Sequence, residues 1–201
     1  MLKTSEVPLT QSALLVIDVQ DSFKVGPRWE RRSNPHFEAN ISALVEAYRA
    51  AHLLVFFVMH TDSDEAFERT SPHFKLMDFL APRPDEPLIV KDTRNCFTST
   101  NLQAQLIHKD IRRLAITGIQ MEQCCETTAR VAADLGYAVD FVIDATLTFP
   151  IANPDDPADV LGVDDIEKHT VFVLRRRFAR IVTTQKLCAE LEGISLTVPS
   201  R

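Results

Sequence analysis

"RLAITGIQMEQCCETTARVAADLGYAVDFVIDA", residues 113–145, decides the architecture. Arg113 to Gly118 form an apolar run of strand length, and Ala138 to Ala145 form another. Residues 123–135 between them carry a helical pattern. Strands that are apolar on both faces and separated by helices belong to a parallel sheet covered on both sides.

The same alternation extends along the chain. "ALLVID" (13–18), "HLLVFFVMH" (52–60), "PLIVK" (87–91) and "TVFVL" (170–174) read as further strands. Phe37, Ile41, Leu44, Val45 and Tyr48 fall at helical spacing within 34–51, and helices are also predicted over 102–108 and 157–168. The prediction is a three-layer α/β/α fold with about six mainly parallel strands and right-handed crossovers. "LAPRPDEP" (80–87) reads as a surface loop, and no repeat or linker divides the chain, so residues 1–201 are expected to form a single domain.

The formal net charge of −6 argues against a nucleic-acid partner, which calls for a basic face. The one dense basic run, "LRRRFAR" (174–180), reads as a solvated or interface-facing patch. "MLKTSEVPLTQ" lacks the apolar core of a secretory signal, and no apolar run is long enough to cross a membrane. The expectation is a cytoplasmic protein whose partner is a small molecule. Its four cysteines, without C-x-x-C spacing, signal neither a zinc site nor a redox pair.

In such a sheet the ligand lies beyond the carboxyl ends of the strands, where the strand order switches. The residues there are Asp18, His60, Lys91, Gly118 onward, Asp144 and the arginine run. "DVQDSF" follows the first strand where a dinucleotide fingerprint would place glycines, and the chain has only five glycines, so no such cofactor is expected. Asp18 ends a strongly apolar strand, where a carboxylate is costly to bury without a partner. Lys91 ends another, and the two charges are placed to meet over one crevice.

Cys124 and Cys125 begin the helix after 113–118. A thiol in a first helical turn faces unpaired N–H groups and the positive dipole end, which lower its pKa and leave donors for an oxyanion. "IQMEQ" offers no Ser, Thr, Asp or Asn to cap those donors. Periodicity does not choose between the cysteines. The ladder Cys125, Ala129, Ala132, Gly136 is made of small residues suited to packing on the sheet, so it leans toward Cys125 as the buried one.

The chain resembles the isochorismatase-like cysteine hydrolases, which include nicotinamidases and N-carbamoylsarcosine amidohydrolase. The family's D-x-Q-x-x-F is matched by Asp18, Gln20 and Phe23, and its strand-ending Lys by Lys91 with Phe97, Thr100 and Leu102 following. Gly118, Cys124, Thr128, Ala129, Ala132, Gly136 and Tyr137 fall in register on a third block. The resemblance implies a Rossmann-like fold and a catalytic triad of Asp18, Lys91 and Cys124, with Cys125 at a buried position. It places a non-proline cis peptide around Ile119 to Met121, so that Gln120, Met121 and Cys124 frame the oxyanion hole. It implies self-association into dimers or tetramers. Met121 stands where the family commonly has Thr, which makes the pocket edge more apolar.

Phe23, Trp29, Gln120, Met121 and Phe149 are the candidate pocket residues. "HTDSDEAFERTSPH" (60–73) offers His60, Asp62, Asp64 and His73, but not in the family's metal-binding arrangement, so neither metal nor cofactor is expected. The presence of the cysteine favours hydrolysis of a C–N bond in a small amide or ureido compound through a thioester. The alternatives are vinyl-ether hydrolysis of the isochorismatase type and a non-catalytic or redox-active member of the same fold.

Overall fold

Ser12–Ile17 is apolar after its first residue and buried at every position, as a strand with helices on both faces must be. A computed structural model describes residues 7–195, so the two ends of the expected 1–201 domain lie outside the described residues. In chain order the elements are β1 (Ser12–Ile17), α1 (Phe37–Ala50), β2 (Leu54–His60), β3 (Leu88–Lys91), α2 (Leu102–His108), β4 (Arg113–Ile119), α3 (Glu126–Asp134), β5 (Ala138–Leu147), β6 (Ile151–Ala152), β7 (Val160–Leu161), α4 (Val163–Leu174), β8 (Arg180–Val182) and α5 (Thr184–Ser195).

Six strands form one sheet in the order β3-β2-β1-β4-β5-β8, and every pairing in it is parallel. β6 and β7 make a separate antiparallel ribbon. Alternate residues of β1 serve opposite layers. Leu14 and Val16 pack with Phe37, Ile41, Leu44 and Tyr48 of α1 and with Leu187 and Leu191 of α5. Ala13, Leu15 and Ile17 pack with residues of α2 and α3 and with Leu174 of α4. The sheet is therefore covered on both sides, as the sequence predicts. Among the described residues no helix is long and apolar enough to cross a membrane.

The last third of the chain differs from the sequence reading. Residues 170–174, expected as a strand, are the last turns of α4, and the helix expected over 157–168 runs over Val163–Leu174 instead. Val171, Phe172 and Val173 favour strands by type, but the buried positions of α4 are Ile166, Thr170 and Leu174, which recur at helical spacing. Phe172 stays 73% exposed. The sixth strand is β8, and the arginine run is the turn leading into it rather than a strand end near the site. Arg180 from that run is turned inward, donating to Asp140 Oδ1 at 2.6 Å and to Glu190.

β5 likewise continues past Ala145 to Leu147, so Asp144 is not a strand-end residue. Its carboxylate accepts hydrogen bonds from the Thr184 N–H (2.7 Å) and hydroxyl (2.9 Å), and so caps the start of α5.

The switch in strand order falls between β1 and β4, where Ile17 pairs with Gly118. Gly118 has φ +123°, a conformation that disfavours side chains, and a Cβ there would lie 1.9 Å from the Ile17 carbonyl oxygen. Only glycine lets the two strands close at the point from which the site emerges.

Candidate active site

Four neighbouring strands each deliver one polar residue to the same end of the sheet. Lys91 closes β3, His60 closes β2, Asp18 follows β1, and Cys124 lies just beyond β4. Parallel strands lie about 4.8 Å apart, so β3 stands two spacings from β1. The long lysine side chain crosses that gap over the end of β2. Its Nζ donates to Asp18 Oδ2 at 2.8 Å and to Cys124 Sγ at 3.4 Å, and lies 3.3 Å from His60 Nδ1. The structure thus brings Asp18, Lys91 and Cys124 together.

Asp18 has φ +54°, in the left-handed region that a short polar side chain tolerates. Its N–H donates to the Val58 carbonyl (2.8 Å) and its own carbonyl accepts from Gln20 N–H (2.9 Å). Asp18 Oδ1 is buried and meets no hydrogen-bond donor among the described residues. The Lys91 and Asp18 side chains are both 0% exposed. Burial opposes the charge on Lys91, but the Asp18 carboxylate, with smaller contributions from Cys124 and Cys96, holds the ammonium above its usual range.

Cys124 is 3% exposed and lies on a single π turn, Met121–Cys125, that precedes α3. No side chain caps that turn, as the sequence indicates. The Gln123 and Cys125 N–H groups are not free for a ligand, because both donate to the Gln120 carbonyl. The expectation of a lowered thiol pKa is reversed. Burial pushes the Cys124 thiol up and the negative charge of Asp18 pushes it further, while Lys91 pulls it down only in part. These surroundings favour the thiol over the thiolate. Cys125 is fully buried and packs in the same apolar cluster as Ala129 and Ala132.

The Ile119–Gln120 peptide is cis, within the stretch where the resemblance places such a bond. Gln120 is half-buried and donates to Glu122 Oε1 at 3.4 Å. Glu122 in turn accepts from Thr148 Oγ1 at 2.6 Å, which ties the π turn to the end of β5. Burial raises the Glu122 pKa against the opposing pull of that bond. Met121 is buried in the cluster that holds Cys124 and Cys125, on the face of the sheet opposite Phe23 and Phe149.

Phe23, Phe149 and Trp29 meet as one aromatic wall. Phe23 stacks on Phe149 at 6.0 Å between centroids, and Trp29 lies 6.3 Å from Phe149. Two members of this wall were not foreseen from sequence. Phe67 packs edge-on against Phe23 at 4.9 Å and lies 6.1 Å from the His60 ring, so it joins the wall to the polar centre. Arg28 sits over Phe23, Phe67 and Phe149 at 5.0, 5.4 and 5.9 Å, and burial lowers its pKa. Arg28 lies in a short 3-10 turn, Pro27–Arg31, and Phe67 in a loop turn, both too short for a period to signal which side chains turn inward.

His60 Nε2 lies 3.1 Å from Asp62 Oδ2 and 2.9 Å from Arg94 Nη1. Asp64 accepts from the Ala66 N–H instead of joining them. Among the described residues no three His, Cys, Asp or Glu side chains converge as metal ligands would.

Comparison with known proteins shows a shared fold. The isochorismatase domain matches residues 12–185. The isochorismatase family protein YrdC of Bacillus subtilis (strain 168) is 30% identical over 180 residues, covering 88% of this chain and 94% of that protein. Nicotinamidase 3 of Arabidopsis thaliana is 27% identical over 198 residues, covering 90% and 89%. A crystal structure of an isochorismatase-family protein from Chromobacterium violaceum ATCC 12472 superimposes with a TM-score of 0.83 at 26% identity, covering 90% of this chain and 94% of that one.

Proposed function

The chain belongs to the isochorismatase family of hydrolases, and from that premise we propose that it cleaves a C–N bond of a small amide or ureido substrate through a Cys124 thioester. The observation that carries this reading is the contact of one buried ammonium with both a carboxylate and a thiol, beside a carboxylate oxygen that accepts no hydrogen bond among the described residues. Cleavage of a vinyl ether needs no nucleophile of this kind. Nicotinamidase 3, whose name denotes amide hydrolysis, supports the same bond type.

The steps follow from the resting charges. Cys124 Sγ attacks the carbonyl carbon while Asp18 Oδ1 takes the thiol proton, so no free thiolate accumulates. Lys91 stays charged, holding Asp18 Oδ2 and the sulfur in line. Backbone N–H groups of the turn carrying Gln120, Met121 and Cys124 hold the oxyanion. Asp18 then passes its proton to the departing nitrogen as the C–N bond breaks. Water attacks the thioester, giving one proton to Asp18 and its oxygen to the acyl carbon, and that proton returns to sulfur when the acid leaves.

The aromatic wall of Phe23, Trp29 and Phe149 borders the side of the substrate away from the scissile bond. The test is a screen of small amides and ureides with ammonia detection, run on the wild type beside Cys124→Ala. Turnover is expected in the wild type and none in the variant. Retained turnover in Cys124→Ala would refute the assignment.

A further inference from the structure

His60 closes β2, between the strands that supply Lys91 and Asp18, and none of the steps above uses it. We propose that His60 is a positioning residue, which in its neutral Nε2–H tautomer accepts a hydrogen bond from Lys91 on Nδ1 and so fixes the ammonium between Asp18 and Cys124. The inference rests on the hydrolytic reading of those three residues.

An ammonium has three N–H donors and no acceptor. Lys91 Nζ has three acceptors within reach, at 2.8, 3.3 and 3.4 Å, and its side chain has no exposure through which water would substitute for one of them. Taking away the imidazole leaves a buried charged donor unmet and frees the ammonium to turn away from the sulfur. The backbone that carries the ring is held from behind. Gln20 Oε1 accepts from the His60 N–H at 2.8 Å and Gln20 Nε2 donates to the His60 carbonyl at 3.0 Å, so the side-chain amide pairs with both backbone groups as a neighbouring strand would.

The charges around the ring choose the tautomer. Lys91 and Arg94 face it as cations, and Asp18 and Asp62 as carboxylates. Both ring nitrogens face a cation: Lys91 Nζ lies 3.3 Å from Nδ1, and Arg94 Nη1 lies 2.9 Å from Nε2 beside Asp62 Oδ2 at 3.1 Å. Lys91 is fully buried and has no water to turn to, whereas the Arg94 side chain is 55% exposed, so the proton belongs on Nε2, donated to Asp62, and Nδ1 is left to Lys91. Arg94 then finds its counter-charge in Asp62, 3.9 Å away. Burial, reinforced by Lys91, holds the imidazole pKa below its usual range, so the neutral ring is the form present near neutrality. Acid that protonates Nδ1 removes the acceptor, and the ammonium loses its seat.

The test follows alkylation of Cys124 by iodoacetamide, by intact mass and peptide mapping, across the pH range in the wild type, His60→Leu and His60→Asn. Asparagine places its amide oxygen near the position of Nδ1. His60→Leu is expected to lower the maximal alkylation rate by about ten- to a hundredfold, the worth of a hydrogen bond to a charged group, with half-saturation changed less than about twofold. His60→Asn is expected to recover the rate to within a few-fold and to lack the acid limb. In parallel, nitrogen-15 spectra of histidine-labelled wild type are expected to show His60 Nε2 protonated and Nδ1 bare. A rate in His60→Leu close to wild type with an unchanged pH profile, or an Nδ1–H tautomer, would overturn the proposal. The spectra decide it even where a variant fails to fold. Asp18→Asn is the control for the hydrolytic reading: an alkylation rate unchanged by it defeats that reading, whatever the histidine shows.

Discussion

Replacing Lys91 by Met removes one half of an ion pair whose other half has nowhere to go. The two side chains are 0% exposed and meet at 2.8 Å. Breaking such a pair from one side costs about 3–5 kcal/mol, because the remaining charge stays buried and unpaired. For a chain of this size 1 kcal/mol moves Tm by about 2–4 °C, so Lys91→Met is expected to melt roughly 6–20 °C below wild type. The double variant Asp18→Asn with Lys91→Met leaves no buried charge and is expected to regain much of that loss. A pH series adds a second signature. A lone buried carboxylate takes up a proton on folding, so the folded single variant binds more protons than its unfolded chain, and its stability falls as pH rises from about 4 toward 7. Calorimetry of the wild type, both single variants and the double closes the cycle. A Tm within about 3 °C of wild type for Lys91→Met, or a double variant as unstable as the two singles summed, would refute the reasoning.

The Cys124 thiol is expected to remain protonated near neutrality and to ionise above the ordinary thiol range, because burial and Asp18 outweigh Lys91. The ultraviolet difference spectrum between wild type and Cys124→Ser reads this directly, and thiolate absorbance at neutral pH would contradict it. Gly118→Ala sets a methyl 1.9 Å from the Ile17 carbonyl oxygen at φ +123°, and is expected to cost more than about 4 kcal/mol in a denaturant melt. Asp144→Ala removes the cap of α5 and is expected to cost about 0.5–2 kcal/mol while leaving Cys124 alkylation unchanged, since that carboxylate belongs to the scaffold.

The site was legible where an apolar run ends abruptly in a charged or polar residue. Asp18, His60 and Lys91 stand out for that reason, and parallel pairing carries all three to one end of the sheet. Choosing Cys124 over Cys125 needed the family register, because the π turn at Met121–Cys125 breaks the helical period that would have separated them. The thiol's pKa was misjudged because the dipole of a helix end is visible in sequence, whereas the depth of burial and the neighbouring carboxylate are not. "TVFVL" was misread because its β-forming residues face outward on α4, and local preference yields there to burial of Ile166, Thr170 and Leu174. The contact of His60 with Lys91 is not legible in the sequence, because pairing between neighbouring strands 31 residues apart leaves no mark on local pattern.

Lys91 and His60 close their strands and Asp18 follows its own directly, so their mutual spacing is set by the hydrogen-bonded ladder, and Cys124 is brought to them by the π turn that leaves β4. On the proposed function, the aromatic wall is the part open to exchange for selectivity. Its parts do not exchange singly, however. Asp21 N–H donates to the Lys75 carbonyl and Met77 N–H to the Val19 carbonyl, and Gln20 bridges to Leu76, which staples the segment carrying Phe23 to the one carrying Phe67. A graft meant to redirect this hydrolase would transplant both segments together as one cassette.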